Sequence, residues 1–211
     1  MEPAPMPAAR IFDELGEDYE TGFRRLPEQH AALGWLAGRL MPGDRVLDIG
    51  SGTGRPVAER LAGLGCRVTG IDVSPRMIDV ATRHVPSASF LLCDVRGFNA
   101  LAGTFAAVCA FFPLLQMTRD ELDETLVRIA AWLRPGGAFA MATVPGDYSE
   151  TDTEWMGRPL RMSSYTEPEY RRRLAETGLD VVHTSLTRYE PDLPTAAPED
   201  HLFAYAVKRR E

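Results

Sequence analysis

Three closely spaced glycines after a short apolar segment constrain the fold more than any other feature of this chain. Residues 46–54 read VLDIGSGTG, and a helical pattern follows them. A strand that leads through a glycine-rich turn into a helix is typical of open parallel sheets, whose ligands bind beyond the carboxyl ends of the strands. Glycine also lets the backbone approach a ligand closely, because no side chain intervenes. The segment therefore predicts an α/β fold with a ligand at this turn.

The pattern around this turn alternates strands and helices. Predicted strands span 45–49, 67–71, 89–92, 105–112, 138–144, 180–190 and 201–209. Predicted helices span 10–19, 27–40, 55–64, 75–84, 119–133 and 166–177, with a short helix near 95–101. Ser74 and Thr118 are expected to cap the helices that follow them. This alternation predicts a doubly wound, Rossmann-like, mostly parallel sheet with helices on both faces and an antiparallel hairpin at the C-terminal end.

Charge and cysteine content exclude several classes of partner and site. The chain has 23 basic and 30 acidic residues, a net charge of −7, whereas nucleic-acid binding needs a basic surface. Three cysteines cannot all pair, and none lies in a metal-binding cluster, which argues against a disulfide scaffold and a zinc site. We see no secretory signal or membrane segment. We therefore expect a cytoplasmic protein without metal, nucleic-acid or membrane partners.

The acids at the predicted strand ends narrow the choice of ligand. In the dinucleotide fingerprint GxGxxG the third glycine would stand at Arg55, but here it comes one place early, at Gly54. Asp48, just before the turn, would repel a pyrophosphate but suits a ligand with an ammonium group. Asp72, 22 residues after Gly50, has the spacing of a carboxylate that binds ribose hydroxyls. Asp94 follows the next predicted strand.

Four segments in this order resemble the class I S-adenosylmethionine-dependent methyltransferases. They read VLDIGSGTG, GIDVSPRMID, LLCDV and LRPGG, and the similarity runs through most of residues 44–144. The resemblance implies a seven-stranded sheet whose last strand, 201–209, runs antiparallel between its neighbours. It also implies S-adenosyl-L-methionine as the cofactor and a small-molecule methyltransferase activity.

The resemblance also implies roles for individual residues. Asp48 and the turn would line the methionine part of the cofactor, Asp72 would take the ribose hydroxyls, and Asp94 would accept from the adenine amine. A weaker similarity places Tyr19 near the methionine. The full implied cofactor set is Tyr19, Asp48, Gly50, Ser51, Gly52, Gly54, Asp72, Val73, Met77, Cys93, Asp94, Val95, Ala110 and Phe111. Alternatives remain for three of these residues. The sole role of Asp48 could be to complement a helix dipole, Asp94 could be a helix N-cap, and Cys93 could be a packing residue.

The chain departs from its relatives at two positions. No acid precedes the fourth strand at 105–107, and Gln116 stands where related enzymes often carry a histidine. Glutamine cannot act as a base at neutral pH. His201 is then the best candidate base, because it begins the antiparallel strand at the edge where the parallel strands end. The alternative is a strand-start histidine bonded to its loop.

The remaining segments predict the domain layout and the substrate side. Residues 1–9 are predicted to be a flexible tail and 10–211 a single domain. Within it, 10–41 form a helical cover, 44–144 the cofactor-binding core, 145–165 a substrate loop and 166–211 a helix and the C-terminal hairpin. The stretch 145–164 is expected to be either a lid or disordered. The predicted substrate-binding residues are Phe112, Gln116, Tyr148, Trp155 and Tyr165.

These features predict methyl transfer to an oxygen or nitrogen of a small organic molecule, as part of a biosynthetic pathway. A nicotinamide-dependent oxidoreductase and a cofactor-binding protein without catalysis are the alternatives. A monomer and a homodimer are both compatible with the sequence.

Overall fold

The computed structural model describes residues 7–15, 26–191 and 197–210. Its helices are α1 (Pro7–Leu15), α2 (Pro27–Ala37), α3 (Val57–Gly63), α4 (Pro75–His84), α5 (Arg119–Trp132) and α6 (Glu167–Glu176). Its strands are β1 (Arg45–Ile49), β2 (Arg67–Asp72), β3 (Ser89–Leu92), β4 (Phe105–Phe111), β5 (Leu133–Thr143), β6 (Tyr148–Trp155), β7 (Arg158–Ser164), β8 (Leu179–Tyr189) and β9 (Glu199–Lys208).

Seven of these strands form one sheet in the order β3-β2-β1-β4-β5-β9-β8. The first five pair in parallel, and β9 pairs antiparallel with both β5 and β8. The carboxyl ends of the parallel strands therefore meet the beginning of β9 at one edge of the sheet. The sequence-based prediction of a seven-stranded, Rossmann-like sheet with its last strand inserted antiparallel is confirmed.

Strand β4 shows why both faces of the sheet are covered. Its residues are all buried, and they alternate between two apolar cores. Val108 and Ala110 face the core formed with α5 and α6, whereas Ala107 and Cys109 face the core formed with α2 and α3. A strand buried on both faces needs a continuous apolar run, which is what residues 105–111 provide.

Local signals in the sequence fix several helix boundaries. The Ser74 hydroxyl accepts a hydrogen bond from the backbone of Met77, as a helix N-cap does. Thr118 and Glu121 form a reciprocal capping box at the start of α5. Both predicted caps are confirmed. Within the described ranges, no helix has the length and apolar character needed to cross a membrane.

Three sequence-based expectations differ from the structure. Residues 95–97 form a turn rather than a helix, and α1 begins at Pro7, inside the predicted tail. The segment 145–164, expected to be a lid or disordered, is ordered as the hairpin β6–β7, and its role as a lid stays a prediction. Its two-residue turn has positive φ at Met156 (50°) and Gly157 (71°), as a type I′ turn requires. The exposed strand β6 carries no apolar alternation, so the sequence gives no strand signal there.

Candidate active site

The glycine turn lies against the segment that follows β4. The backbone N–H groups of Gly50 and Ser51 both donate to the carbonyl of Ile71, at 2.8 and 3.1 Å, which ties the turn to β2. Gly50 has a φ of 68°, and a Cβ on it would lie 2.4 Å from the Cβ of Pro113. No residue with a side chain fits there without displacing Pro113. The glycine turn and the segment after β4 can therefore approach this closely only because residue 50 is glycine.

Asp72 joins the glycine turn to the loop after β2. Its carboxylate accepts hydrogen bonds from the backbone N–H groups of Gly52 and Ser74, both at 2.9 Å. Burial raises the pKa of Asp72, and these backbone bonds act in the opposite direction. The predicted ribose-binding carboxylate is therefore held in place by two loops before any ligand arrives.

A cavity beside Asp72 collects most of the residues implied for the adenosine part of the cofactor. This Asp72 cavity is lined by Asp72, Val73, Met77, Cys93, Asp94 and Val95, together with Gly50, Gly52 and Phe111 from the ends of β1 and β4. Gly54 and Ala110 are not in its wall. Gly54 instead faces Phe90 and Val85, each of which would lie 3.1 Å from an added Cβ. Tyr19 lies outside the described residues.

Asp94 is engaged by a neighbour that the sequence analysis missed. The guanidinium of Arg96 bonds both carboxylate oxygens of Asp94 and also Glu121, and the Arg96 backbone N–H donates to Asp94 at 2.8 Å. Asp94 does not cap a helix, because a turn follows it. It stands in the cavity wall as a positioned ion pair. The signal that could have revealed Arg96 is its place two residues after a strand-end acid.

A second cavity lies on the other side of the glycine turn and contains unsatisfied polar groups. This Asp48 cavity, of about 460 Å³, is also lined by Ser51, Gln29, His30 and Arg55. Asp48 is 2% exposed, and neither its Oδ2 nor the Ser51 Oγ has a hydrogen-bond partner among the described residues. Burial, assisted by the charge of Asp72, raises the pKa of Asp48 to about 8. A buried carboxylate without a partner is suited to receive a cationic group, so these residues fit a ligand with an ammonium group.

Phe112 stands where three cavities meet. It lines the Asp72 cavity, the Asp48 cavity and a third cavity bounded by the β6–β7 hairpin. Its φ of 66° is unusual for a bulky residue, and its N–H donates to the carbonyl of Ala142 at 2.8 Å. A residue before proline is normally extended, so the sequence gives no sign of this conformation.

The third cavity, which we call the hairpin cavity, has a volume of about 410 Å³. Four of the five predicted substrate-binding residues line it: Phe112, Gln116, Tyr148 and Trp155. Phe12 of α1 and Met156 of the hairpin turn contribute further apolar wall. The hairpin therefore supplies a wall where the sequence predicted a loop.

Tyr165 is the predicted substrate residue that the structure places elsewhere. It is 2% exposed and packs between the guanidinium groups of Arg119 and Arg173, whose carbons lie 4.7 and 3.9 Å from the ring centre. Its hydroxyl donates to Asp123 at 3.2 Å. Tyr165 immediately precedes the N-cap of α6, so it packs with α5 and α6 rather than facing the hairpin cavity.

His201 lies in the wall of the hairpin cavity at the beginning of β9. It is 1% exposed, and its ring contacts Phe112 and Tyr189 with centroids 4.5 and 5.2 Å away. Its Nε2 pairs with Glu199 Oε1 at 2.8 Å, whereas its Nδ1 has no partner among the described residues. If the Nε2–H donates to the carboxylate, Nδ1 carries the free lone pair. The structure thus places a fixed histidine beside the candidate substrate cavity, as the candidate base requires.

Comparison with other proteins agrees with this geometry. A family profile described as a methyltransferase domain matches residues 46–137, which contain the glycine turn, Asp72 and Asp94. The ubiquinone biosynthesis O-methyltransferase of Methylocella silvestris is 40% identical over 161 residues, covering 63% of this chain and 61% of that protein. The match thus spans less than two thirds of that relative's length. The protein of the same name from Xanthomonas axonopodis pv. citri is 29% identical over 195 residues, covering 83% of this chain and 81% of that protein.

A solved structure extends the similarity over the whole chain. The Burkholderia thailandensis 1,6-didemethyltoxoflavin-N1-methyltransferase, with 1,6-didemethyltoxoflavin and S-adenosylhomocysteine bound, superposes with a TM-score of 0.69 at 25% identity. The superposition covers 100% of this chain and 92% of that one. With the glycine turn, the strand-end acids and the inserted last strand, these matches show that the chain is similar to class I S-adenosylmethionine-dependent methyltransferases and contains a methyltransferase-domain match over residues 46–137.

Proposed function

We propose that this protein transfers the methyl group of S-adenosyl-L-methionine to an oxygen or nitrogen atom of a small organic molecule. The observation that carries the proposal is the position of Phe112, which lines the two cavities beside the glycine turn and also the hairpin cavity. A donor in the first two cavities and an acceptor in the third would therefore meet beside its ring, where the acceptor atom can attack the methyl carbon directly. The O-methyltransferase and N-methyltransferase relatives support both kinds of acceptor atom.

The residues around the glycine turn would hold the cofactor in two parts. Asp72 would bind the ribose hydroxyls, with Val73 and Met77 against the adenine. Asp48 and Ser51 would satisfy their unpartnered oxygens on the methionine ammonium group. When bound, the cofactor supplies a methyl group attached to a positively charged sulfur, which leaves readily because it departs as a neutral thioether.

The protein's own contribution is placement and proton transfer. Holding two reactants in line can supply about 7–11 kcal/mol of the barrier. The apolar wall of the hairpin cavity, including Trp155 and Met156, would keep water from the acceptor atom. His201 Nδ1 would take the proton that a hydroxyl or amino group loses as its lone pair attacks the methyl carbon, and Glu199 would stabilise the resulting imidazolium.

Binding of S-adenosylhomocysteine, measured by calorimetry, tests the cofactor site. We expect micromolar affinity in the native protein and its loss in Asp72→Ala. Asp180→Ala, an exposed acid at the opposite end of the sheet, is the matched control and should bind normally. Absence of binding in the native protein would refute the cofactor assignment.

Turnover then separates an enzyme from a cofactor-binding protein without catalysis. Production of S-adenosylhomocysteine would be followed with phenols, carboxylic acids and amines as acceptors. For an acceptor that is methylated, His201→Ala should reduce kcat sharply while leaving S-adenosylhomocysteine affinity unchanged. Unchanged kcat would remove His201 from the mechanism, and no methylation of any acceptor would favour the non-catalytic alternative.

Four further sequence-based expectations concern the alternative cofactor, the biosynthetic role, the cellular location and the oligomeric state. The nicotinamide-dependent alternative loses support, because the methyltransferase-domain match covers the glycine turn and the similar Burkholderia thailandensis enzyme has S-adenosylhomocysteine bound. A biosynthetic role agrees with the ubiquinone biosynthesis relatives. The cytoplasmic location and the choice between monomer and homodimer stay predictions.

A further inference from the structure

The charged residues that contribute to the wall of the hairpin cavity are of one sign. Among the described residues in its wall, Asp152 and Glu154 on β6 and Glu199 at the start of β9 are acidic, and none is arginine or lysine. The side chain of Asp152 pairs with its cross-strand neighbour Arg161 at 2.7 Å. Because side chains alternate along a strand, Asp152 and Glu154 lie on the face of β6 opposite to Thr151, Thr153 and Trp155. Glu154 and Glu199 have no arginine or lysine partner in the described parts of the chain. Glu199 is therefore the acid of this wall whose carboxylate can act on the cavity, and the described wall contains no arginine or lysine that would offset its charge.

Glu199 is the acid best placed to act on a bound molecule. Its side chain is 20% exposed, whereas the other two carboxylates lie on an exposed strand and are screened by water. Its partner in the wall, His201, lies two residues along the same strand and therefore on the same face. The Glu199 carboxylate therefore lies in the wall next to His201, with no arginine or lysine beside it among the described residues.

Two buried hydrogen-bonding atoms in this wall also lack partners. They are His201 Nδ1 and Gln116 Oε1. In the tautomer whose Nε2–H donates to Glu199, His201 Nδ1 is an acceptor, and the carbonyl oxygen of Gln116 is an acceptor as well. Buried polar atoms are normally satisfied, so both atoms favour an occupant that donates hydrogen bonds.

Much of the rest of the wall is apolar. Phe12, Phe112 and Trp155 contribute aromatic rings, and Met156, Leu160 and Met162 contribute flexible apolar side chains. Such a lining suits a molecule with a ring, for which His201, Gln116 and the hydroxyl groups of Tyr148, Thr151 and Thr153 offer polar contacts.

We infer that the hairpin cavity takes an uncharged or cationic molecule with an apolar ring and a hydroxyl or amino group that donates a hydrogen bond, and that it rejects carboxylates. Glu199 sets this preference, because a ligand carboxylate would face it across a cavity of low polarity. The inference names the substrate class of the proposed methyl transfer and rests on that function for the identity of the occupant.

Three phenols with the same ring and hydroxyl test the charge preference. Tyramine carries an ammonium tail, 4-(2-hydroxyethyl)phenol a neutral tail and 3-(4-hydroxyphenyl)propanoate a carboxylate tail. Their affinities would be measured by calorimetry on protein saturated with S-adenosylhomocysteine. We expect the cationic and neutral probes to bind about tenfold more tightly than the carboxylate.

Glu199→Gln keeps the size of the side chain and removes its charge. We expect it to reduce the ratio of tyramine to propanoate affinity about fivefold, whereas Asp180→Asn, which changes the net charge equally at a remote position, should leave the ratio unchanged. Equal or tighter binding of the propanoate, an unaltered ratio in Glu199→Gln, or no binding of any probe would overturn the inference. Failure of the proposed function would be seen separately, as absent S-adenosylhomocysteine binding or as probe binding without methylation.

Discussion

Replacement of Gly50 by alanine should destabilise the protein through two separate effects. A φ of 68° is unfavourable for a residue with a side chain and costs about 1–2 kcal/mol. The new Cβ would also lie 2.4 Å from Pro113 Cβ and 3.1 Å from its Cγ. Proline cannot rotate its side chain away, so the backbone must move, and overpacking of this kind costs about 1–3 kcal/mol. Together the two effects predict a loss of about 2–5 kcal/mol in the free energy of unfolding.

Gly43→Ala separates the two effects. Gly43 has a φ of 88°, but a Cβ there would have no atom within 4 Å. It should therefore lose only the conformational contribution, about 1–2 kcal/mol. Urea denaturation of the two variants and the native protein measures both values under the same conditions.

The same displacement should affect the ligand site. Movement of Pro113 carries Phe112 with it, and Phe112 lines both cavities beside the glycine turn. Gly50→Ala should thus weaken S-adenosylhomocysteine binding at least about tenfold, a difference of about 1.4 kcal/mol, while Gly43→Ala leaves it unchanged. Equal stability of the two variants, with equal affinity for S-adenosylhomocysteine, would refute this account of the turn.

Three further predictions concern charge and capping. Because the pKa of Asp48 is about 8 in the folded protein and 3.8 is the ordinary value, the folded state binds one more proton between these pH values, and stability falls as pH rises through this window. Asp48→Asn should remove about 1.4 kcal/mol per pH unit from that decline between about pH 5 and pH 7, and an identical slope in denaturation curves would contradict it. Thr118→Ala should cost about 1 kcal/mol in urea denaturation, with Thr118→Ser nearly neutral; equal losses would exclude the capping box as the cause. Arg96→Ala should cost about 1–3 kcal/mol by freeing Asp94 and Glu121, and unchanged thermal stability would show that this network contributes nothing.

Signals within one turn or one strand predicted the fold well. The strand 89–92 and the helix 75–84 have the boundaries predicted for them, because turn residues and the Ser74 cap act over a few residues. The wholly buried strand at the centre of the sheet follows from its continuous apolar run. The order of strands, with the last inserted antiparallel, came from resemblance to a family rather than from any local pattern.

The sequence-based predictions were wrong where the tertiary environment of a residue differs from what its local sequence pattern indicates. The hairpin of residues 148–164 has an exposed first strand, so it lacks the alternation by which a half-buried strand is recognised. Tyr165 is an aromatic residue next to the predicted substrate loop, and for that reason it was predicted to bind substrate. In the structure it lies just before α6 and packs between two arginines. Arg96 was missed because its bond to Glu121 joins residues far apart in the sequence, which meet only in the folded chain.

Residue type and short spacing were enough to predict the class of fold, the glycine turn and the strand-end acids. Which of these groups share a cavity became visible only in the folded chain. The buried Asp48 without a partner, the strained Phe112 between three cavities and the Glu199–His201 pair all depend on strands distant in sequence meeting at one edge of the sheet. Such meetings are set by the packing of two faces at once, which no short stretch of the chain specifies.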